Sequence, residues 1–289
     1  MRIAAAAYPL TFLTDFAEYE AKLADWVGGA VARGADLLVF PEYGAMELAA
    51  LGGAEVAADL ERALHEVARW RAAADAVHLR LAARHGVHVL GASGPVFPVA
   101  EGRPVNRATL YGPGGVVGHQ DKQMMTRFER ETWFVEPGGG LRVFETPLGR
   151  LGVLICYDSE FPLLARRLVE AGAEILLVPS CTDSVAGFTR VRVGAMARAL
   201  ENQCVTVQAP TVGLAAWCPA VDENVGRAAI YGPPDRGFPE TGILAETGLN
   251  EAGWAVADID LAAVREVRRA GAVLNHLHWD EQAPRLAVE

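Results

Sequence analysis

Cys156 ends the apolar run Leu151-Gly152-Val153-Leu154-Ile155 and is followed at once by Tyr157-Asp158-Ser159-Glu160-Phe161-Pro162. The run reads as a buried strand, and Pro162 suits the first turn of a helix through Leu163 to Val169. A thiol on such a strand-to-helix elbow sits at the carboxyl edge of a sheet. Backbone N–H groups there can meet a developing oxyanion, as covalent acyl chemistry requires. A lone Cys is as readily a small buried hydrophobe, so its companions decide. Glu42 closes a matching run, Ala35-Asp36-Leu37-Leu38-Val39-Phe40-Pro41-Glu42, and Lys122 follows Gly118-His119-Gln120-Asp121, just after the strand-like Ala108-Thr109-Leu110-Tyr111. A thiol with an ordinary pKa of about 8.5 is mostly protonated near neutrality and needs a base or a nearby cation to become a nucleophile. A carboxylate and an ammonium at loop positions could supply both.

In the order Glu, Lys, Cys, the stretches Leu38-Val39-Phe40-Pro41-Glu42, His119-Gln120-Asp121-Lys122 and Cys156-Tyr157-Asp158-Ser159-Glu160-Phe161-Pro162 resemble the nitrilase superfamily of carbon–nitrogen hydrolases. Arg198-Ala199-Leu200-Glu201-Asn202 is similar to that family's helix before a core strand, and the resemblance runs from Arg2 to about Asp260. It implies a Glu42-Lys122-Cys156 triad. Glu42 would be the base, since no His lies in a motif that could serve, and Lys122 with the backbone N–H of Tyr157 would meet the oxyanion. The product of the first step would be a thioester at Cys156. The resemblance also implies a second glutamate after the lysine, Glu129, holding Lys122 and the substrate's amide nitrogen, with Glu131 as the competing choice. Trp133, Phe134, Tyr157, Glu160, Cys181 and Thr182 are candidates for the pocket. Glu160 departs from a pattern that often has Arg there. Facing the pocket it would favour a neutral or cationic substrate over a carboxylate, whereas capping the next helix it would say nothing of substrate. The expected activity is hydrolysis of a non-peptide C–N bond in a small linear amide or carbamoyl compound, releasing ammonia or an amine. A nitrilase and a catalytically idle binding member are the competing readings.

The 289 residues contain no low-complexity linker or charge block, so a single domain is expected over 1–270, with a tail over 271–289. Apolar residues at 51% and charged residues at 21% suit a well-buried core. With 26 Lys and Arg against 36 Asp and Glu, the net charge is −10, and no basic run exceeds a pair, which argues against nucleic acid as a partner. The opening apolar stretch stops at Tyr8-Pro9, too short for an export signal or membrane span. Four Cys show neither metal nor disulfide-framework spacing, which fits a reduced, cytoplasmic setting. No cofactor is implied. No metal is expected either, because the His85/His88 and His276/His278 pairs lack further ligands nearby.

The chain repeats its own pattern. Arg107-Ala108-Thr109-Leu110-Tyr111-Gly112-Pro113 recurs as Arg227-Ala228-Ala229-Ile230-Tyr231-Gly232-Pro233, and Gly34 to Pro41 recurs as Gly172 to Pro179. Arg2–Ala7 corresponds to Arg150–Ile155, and Val87–Leu90 to Val205–Val207. Same order throughout indicates two similar halves. Helices are expected near 16–33 and 59–85, with strands near 87–92 and 106–111. Alternating strands and helices predict an α/β fold, a four-layer α-β-β-α sandwich built from two halves face to face; the resemblance implies the same. Tyr8 then stands where Cys156 stands, and Ser180 where Glu42 stands, so one composite site at strand ends is expected. Segments 93–106, 124–140, 182–190 and 213–250 would shape its mouth. Beyond a helix over Leu261–Ala270, the tail's Leu274, Leu277 and Trp279 need another surface. The resemblance implies a homodimer or higher homo-oligomer in which the tail crosses to the partner; the competing reading is a tail folded against its own subunit.

Overall fold

Two aspartates start the long helices of the first half. Asp15 accepts from the backbone N–H of Glu18, and Asp59 from those of Glu61 and Arg62, while Gly86 closes the second helix at φ 69°. In the computed structural model, which describes residues 1–287, the first half runs β1 (Arg2–Pro9), α1 (Phe16–Val31), β2 (Leu37–Val39), α2 (Ala54–Ala57) and α3 (Leu60–His85). It continues through β3 (His88–Leu90), β4 (Gly94–Val96), β5 (Val105–Gly112), β6 (Gly115–Asp121), α4 (Arg127–Glu131) and β7 (Val143–Thr146). The second half runs β8 (Gly149–Val153), α5 (Pro162–Glu170), β9 (Ile175–Ser180), α6 (Val185–Asn202), β10 (Val205–Leu214), β11 (Glu223–Asn224) and β12 (Ala229–Tyr231). It ends with β13 (Ile243–Glu246), β14 (Gly253–Asp258) and α7 (Leu261–Ala270).

The internal repeat is a repeat of register. Ile3 pairs with Leu37 and Leu151 with Ile175; Leu37 pairs with His88 and Ile175 with Val205; Val89 pairs with Tyr111 and Thr206 with Tyr231. Each half is thus a parallel strand trio flanked by an antiparallel strand. The two sheets join where β1 meets β10 in parallel, Tyr8 opposite Thr211 and Pro9 opposite Val212.

Side-chain alternation sorts these strands into layers. Ile3, Ala5, Ala7, Leu37 and Val39 pack in one core with their counterparts Leu151, Val153, Ile175 and Leu177. The intervening Ala4, Ala6, Tyr8, Leu38 and Phe40 pack with Leu23 and Val27 of α1 and Val77 and Leu81 of α3. A strand buried on both faces needs the continuous apolar runs seen in the sequence. Helix, sheet, sheet, helix is the resulting order. Ala4 and Ala6 of β1 face the α1 side, where aromatic contacts (Tyr8 with Trp26 and Phe40, Phe40 with Trp254) fill the space.

Several irregular elements differ from the expected loops. The segment 93–106 contributes β4, and the run before Lys122 is β6, hairpin partner of β5. Short 3₁₀ turns follow Glu42 (Gly44–Gly52) and begin at Cys156 (Cys156–Glu160). The tail packs on its own chain. Gln203 donates to the Val273 carbonyl at 2.9 Å and accepts from the His276 N–H at 3.1 Å, and Arg166 of α5 lies 4.6 Å from the centre of the Trp279 ring. Leu277 is left 63% exposed. Residues 288–289 of the expected tail lie outside the described residues. No helix among the described residues is long and apolar enough to cross a membrane.

Candidate active site

The elbow carrying Cys156 is strained. Its φ of 51° lies in the left-handed region, which costs a non-glycine residue of order 1–3 kcal/mol unless the surroundings hold it. Asp158 supplies much of that hold. Its buried carboxylate accepts from the N–H groups of Ile155 at 3.1 Å, Met124 at 2.7 Å and Gln123 at 3.1 Å. Burial raises its pKa to about 6, opposed by the charge of Lys122 and these backbone donors. The same carboxylate therefore fastens the segment after Lys122 to the turn bearing the thiol. Ser159 closes the turn by donating to the Cys156 carbonyl at 2.7 Å. Gly194 of α6 lies against it, so close that a Cβ there would sit 2.9 Å from the Ser159 carbonyl oxygen.

Lys122, only 1% exposed, stands between two carboxylates. Its Nζ donates to Glu42 Oε1 at 2.8 Å and to Glu129 Oε2 at 2.6 Å. Glu42 also accepts from Asn106 Nδ2 at 3.0 Å, and its Oε2 accepts from the Cys181 N–H at 3.0 Å. Glu129 accepts from Tyr43 Oη at 2.7 Å and from the Thr126 N–H at 2.9 Å, while Thr126 caps α4. With one cation shared by two buried acids, the protons divide unequally. Burial lifts Glu42 to about 7, with Lys122 opposing and Glu129 reinforcing the shift; Glu129, held by Lys122 and three further donors, goes down despite its burial. Lys122 stays firmly charged because the two acids outweigh its desolvation. Burial, then the charge of Glu42, pushes the Cys156 thiol well above its ordinary range, so the resting sulfur is protonated. The thiol donates to the Cys181 carbonyl at 3.7 Å, with the charge of Glu42 acting on it from the same cavity.

Glu42, Lys122, Glu129 and Cys156 line one cavity of about 500 Å³. Three come from different strand ends, Glu42 after β2, Lys122 after β6 and Cys156 after β8, and Glu129 comes from α4. The expected pocket residues Trp133, Tyr157, Glu160, Cys181 and Thr182 line it too. Trp133 is buried, its indole N–H donating to the Leu60 carbonyl at 3.0 Å and its ring 4.9 Å from that of Tyr43. Glu160 faces the cavity, 3.7 Å from Arg190, and makes no cap for α5. Phe134 does not wall this cavity: it has a φ of 54°, is 56% exposed and lies beside Arg103. Glu131 pairs with Arg127 in solvent at 2.7 Å, far from the role considered for it. Sequence reasoning assigned nothing to Tyr43, Asn106, Thr126 or Asp158. The Thr126-Arg127-Phe128-Glu129 spacing of a capping box was the available signal for Glu129 over Glu131.

The sequence profile of carbon–nitrogen hydrolases matches residues 2–269. The chain belongs to that family. Within it, a probable hydrolase of Bacillus subtilis is 32% identical over 278 residues, covering 94% of this chain and 52% of the relative, so the chain spans about half that protein's length. An omega-amidase of Xenopus tropicalis is 31% identical over 192 residues, 63% of this chain and 65% of the relative. Among solved structures, a carbon–nitrogen hydrolase of Helicobacter pylori superposes with a TM-score of 0.78 at 19% identity, covering 100% of this chain and 98% of that one. A variant of an amidase from Nesterenkonia, carrying the acetamide moiety of fluoroacetamide on its active-site cysteine, superposes at 0.64 with 25% identity over 97% of this chain and 96% of that one. The helix, sheet, sheet, helix layering belongs to a fold shared with these carbon–nitrogen hydrolases.

Proposed function

We propose that this carbon–nitrogen hydrolase is an amidase that cleaves a small linear amide or carbamoyl compound through a Cys156 thioester. The observation that carries the proposal is the single buried Lys122 bridging Glu42 and Glu129 in the same cavity as the Cys156 thiol. Glu42 takes the thiol proton as Sγ attacks the amide carbon. The oxyanion that forms is met by Lys122 Nζ and the N–H of Tyr157, each donor contributing roughly 3 kcal/mol to the transition state. Glu42 returns the proton to the amide nitrogen, the C–N bond breaks, and ammonia or an amine leaves behind the thioester. Water then attacks the acyl carbon, Glu42 takes its proton, and collapse of the adduct frees the carboxylic acid and restores the thiol. Glu129 acts on Lys122, fixing its ammonium and offering an acceptor to the substrate's amide N–H. The amidases among the relatives support a substrate of this class.

Ammonia release from matched amides and nitriles tests the reading. Release from the amide, none from the nitrile, and none from Cys156→Ala with either compound is the expected outcome. Turnover of the nitrile alone would replace the amidase by a nitrilase, and turnover of neither would leave a binding protein.

A further inference from the structure

The floor of the cavity carries the thiol, and its rim carries three acids, Asp183, Asp222 and Glu223, beside the arginines Arg127 and Arg190. Asp183, Asp222 and Glu223 line the cavity from two segments that the chain fastens together. Thr182 Oγ1 donates to the Val225 carbonyl at 2.7 Å, and the Val225 N–H donates to the Thr182 carbonyl at 2.7 Å. Between them Asn224, 3% exposed, donates to the Val221 carbonyl at 2.8 Å and accepts from the Cys181 thiol at 3.5 Å. Backbone pairing thus keeps three carboxylates on one lip although like charges repel.

The cations of the lining are already engaged. Lys122 is shared by Glu42 and Glu129, Arg190 lies 3.7 Å from Glu160, and Arg127 lies 2.7 Å from Glu131. Among the described residues no Lys or Arg forms a salt bridge with Asp183, Asp222 or Glu223. The unpaired charge at the mouth is therefore negative, carried by residues other than the two acids that share Lys122. A volume of about 500 Å³ exceeds what a two- or three-carbon amide fills, so a bound amide has length to spare between the thiol and the lip.

We propose that the pocket selects amides bearing a cationic group, an ammonium or amidinium, at the end remote from the scissile carbonyl, and rejects those ending in a carboxylate. The carbonyl lies at Cys156 while the cation lies against Asp183, Asp222 and Glu223. This rests on the amidase reading for its chemistry, and its test is built to separate the two.

Three probes share one chain length: 5-aminopentanamide with a terminal ammonium, hexanamide with a methyl, and adipamate with a carboxylate. Binding is measured by calorimetry on the Cys156→Ala protein at low salt, which needs no turnover, and ammonia release is measured on the parent. The expected order of affinity is ammonium, methyl, carboxylate, with at least a tenfold difference in Kd between the ends of the series. The difference shrinks in 0.5 M salt as the rim charges are screened. Changing Asp183→Asn, Asp222→Asn and Glu223→Gln together keeps a side-chain oxygen at each position and is expected to bring that ratio below three. The double change Asp222→Asn and Glu223→Gln is expected to fall between. Adipamate binding as well as the ammonium probe, no measurable binding of any probe, or a ratio unmoved by the rim changes and by salt would overturn the proposal. Tight, selective binding of the ammonium amide with no ammonia released would leave the selectivity standing and sink the amidase reading instead.

Discussion

Replacing Glu129 by Gln removes one charge from the Lys122 bridge while keeping a hydrogen-bonding side chain of nearly the same shape. In the parent, Lys122 Nζ lies 2.8 Å from Glu42 and 2.6 Å from Glu129. Two carboxylates on opposite sides of one ammonium are about 5 Å apart, and at an effective dielectric near 20 their repulsion is about 3 kcal/mol. One pKa unit corresponds to about 1.4 kcal/mol, so the Glu129 charge holds Glu42 up by as much as about two units. Glu42 stands at about 7, and in the proposed mechanism it serves as the base only when ionised. The parent's kcat/KM is therefore expected to rise with pH through about 7, and this limb reports the free enzyme. In Glu129→Gln, Glu42 keeps the whole of Lys122 and the limb moves to lower pH by one to two units, with a lower plateau because the ammonium is less firmly held. The assay is initial-rate ammonia release from pH 5 to 9 at substrate well below KM, with circular dichroism to show the fold retained. A limb that stays near 7 or moves upward in the variant would refute the coupling of Glu42 to Glu129 through Lys122.

Asp158→Ala leaves the N–H groups of Ile155, Gln123 and Met124 without their acceptor, and at about 1–3 kcal/mol for a buried unsatisfied donor the expected loss is roughly 3 kcal/mol or more, read as a lower urea midpoint. Gly194→Ala drives a methyl to 2.9 Å from the Ser159 carbonyl oxygen, so α6 or the nucleophile turn must shift; kcat is expected to fall at least tenfold with little change in Tm, and a fully active variant would show that the turn yields without moving Sγ. The full chain is expected to run as a homodimer in light scattering and a chain ending at residue 271 as a monomer; a truncated chain that remains a dimer would remove the tail from the proposed interface.

The fold was legible because duplication writes itself twice. Leu37 and Ile175, or Tyr111 and Tyr231, hold matching registers, and the sequence repeats them at matching positions. The candidate site was legible where strand ends carry reactive residues. Glu42 and Cys156 each follow an apolar run, which placed them at strand ends, whereas Lys122 follows the polar His119-Gln120-Asp121 and was joined to them through the resemblance in motif order. The supports were hidden because their partners are remote in sequence. Asp158 takes N–H groups from Gln123 and Met124, and Asn106 reaches Glu42 64 residues away. Nor does any local pattern announce that Cys156 and Tyr43 take a positive φ, since each is held there by contacts across the fold. Phe134 was misplaced for the complementary reason: the chain turns at its φ of 54°, sending Trp133 inward and leaving Phe134 exposed.

The central claim is that acyl transfer passes through the sulfur of Cys156. Mass spectrometry of enzyme quenched in acid during amide turnover, followed by peptide mapping, tests it most directly. An acyl increment on the peptide containing Cys156, absent from Cys156→Ala and lost as the substrate is consumed, is the predicted result. Undiminished ammonia release by Cys156→Ala, or an acyl group carried by Cys181 or another residue in its place, would contradict it.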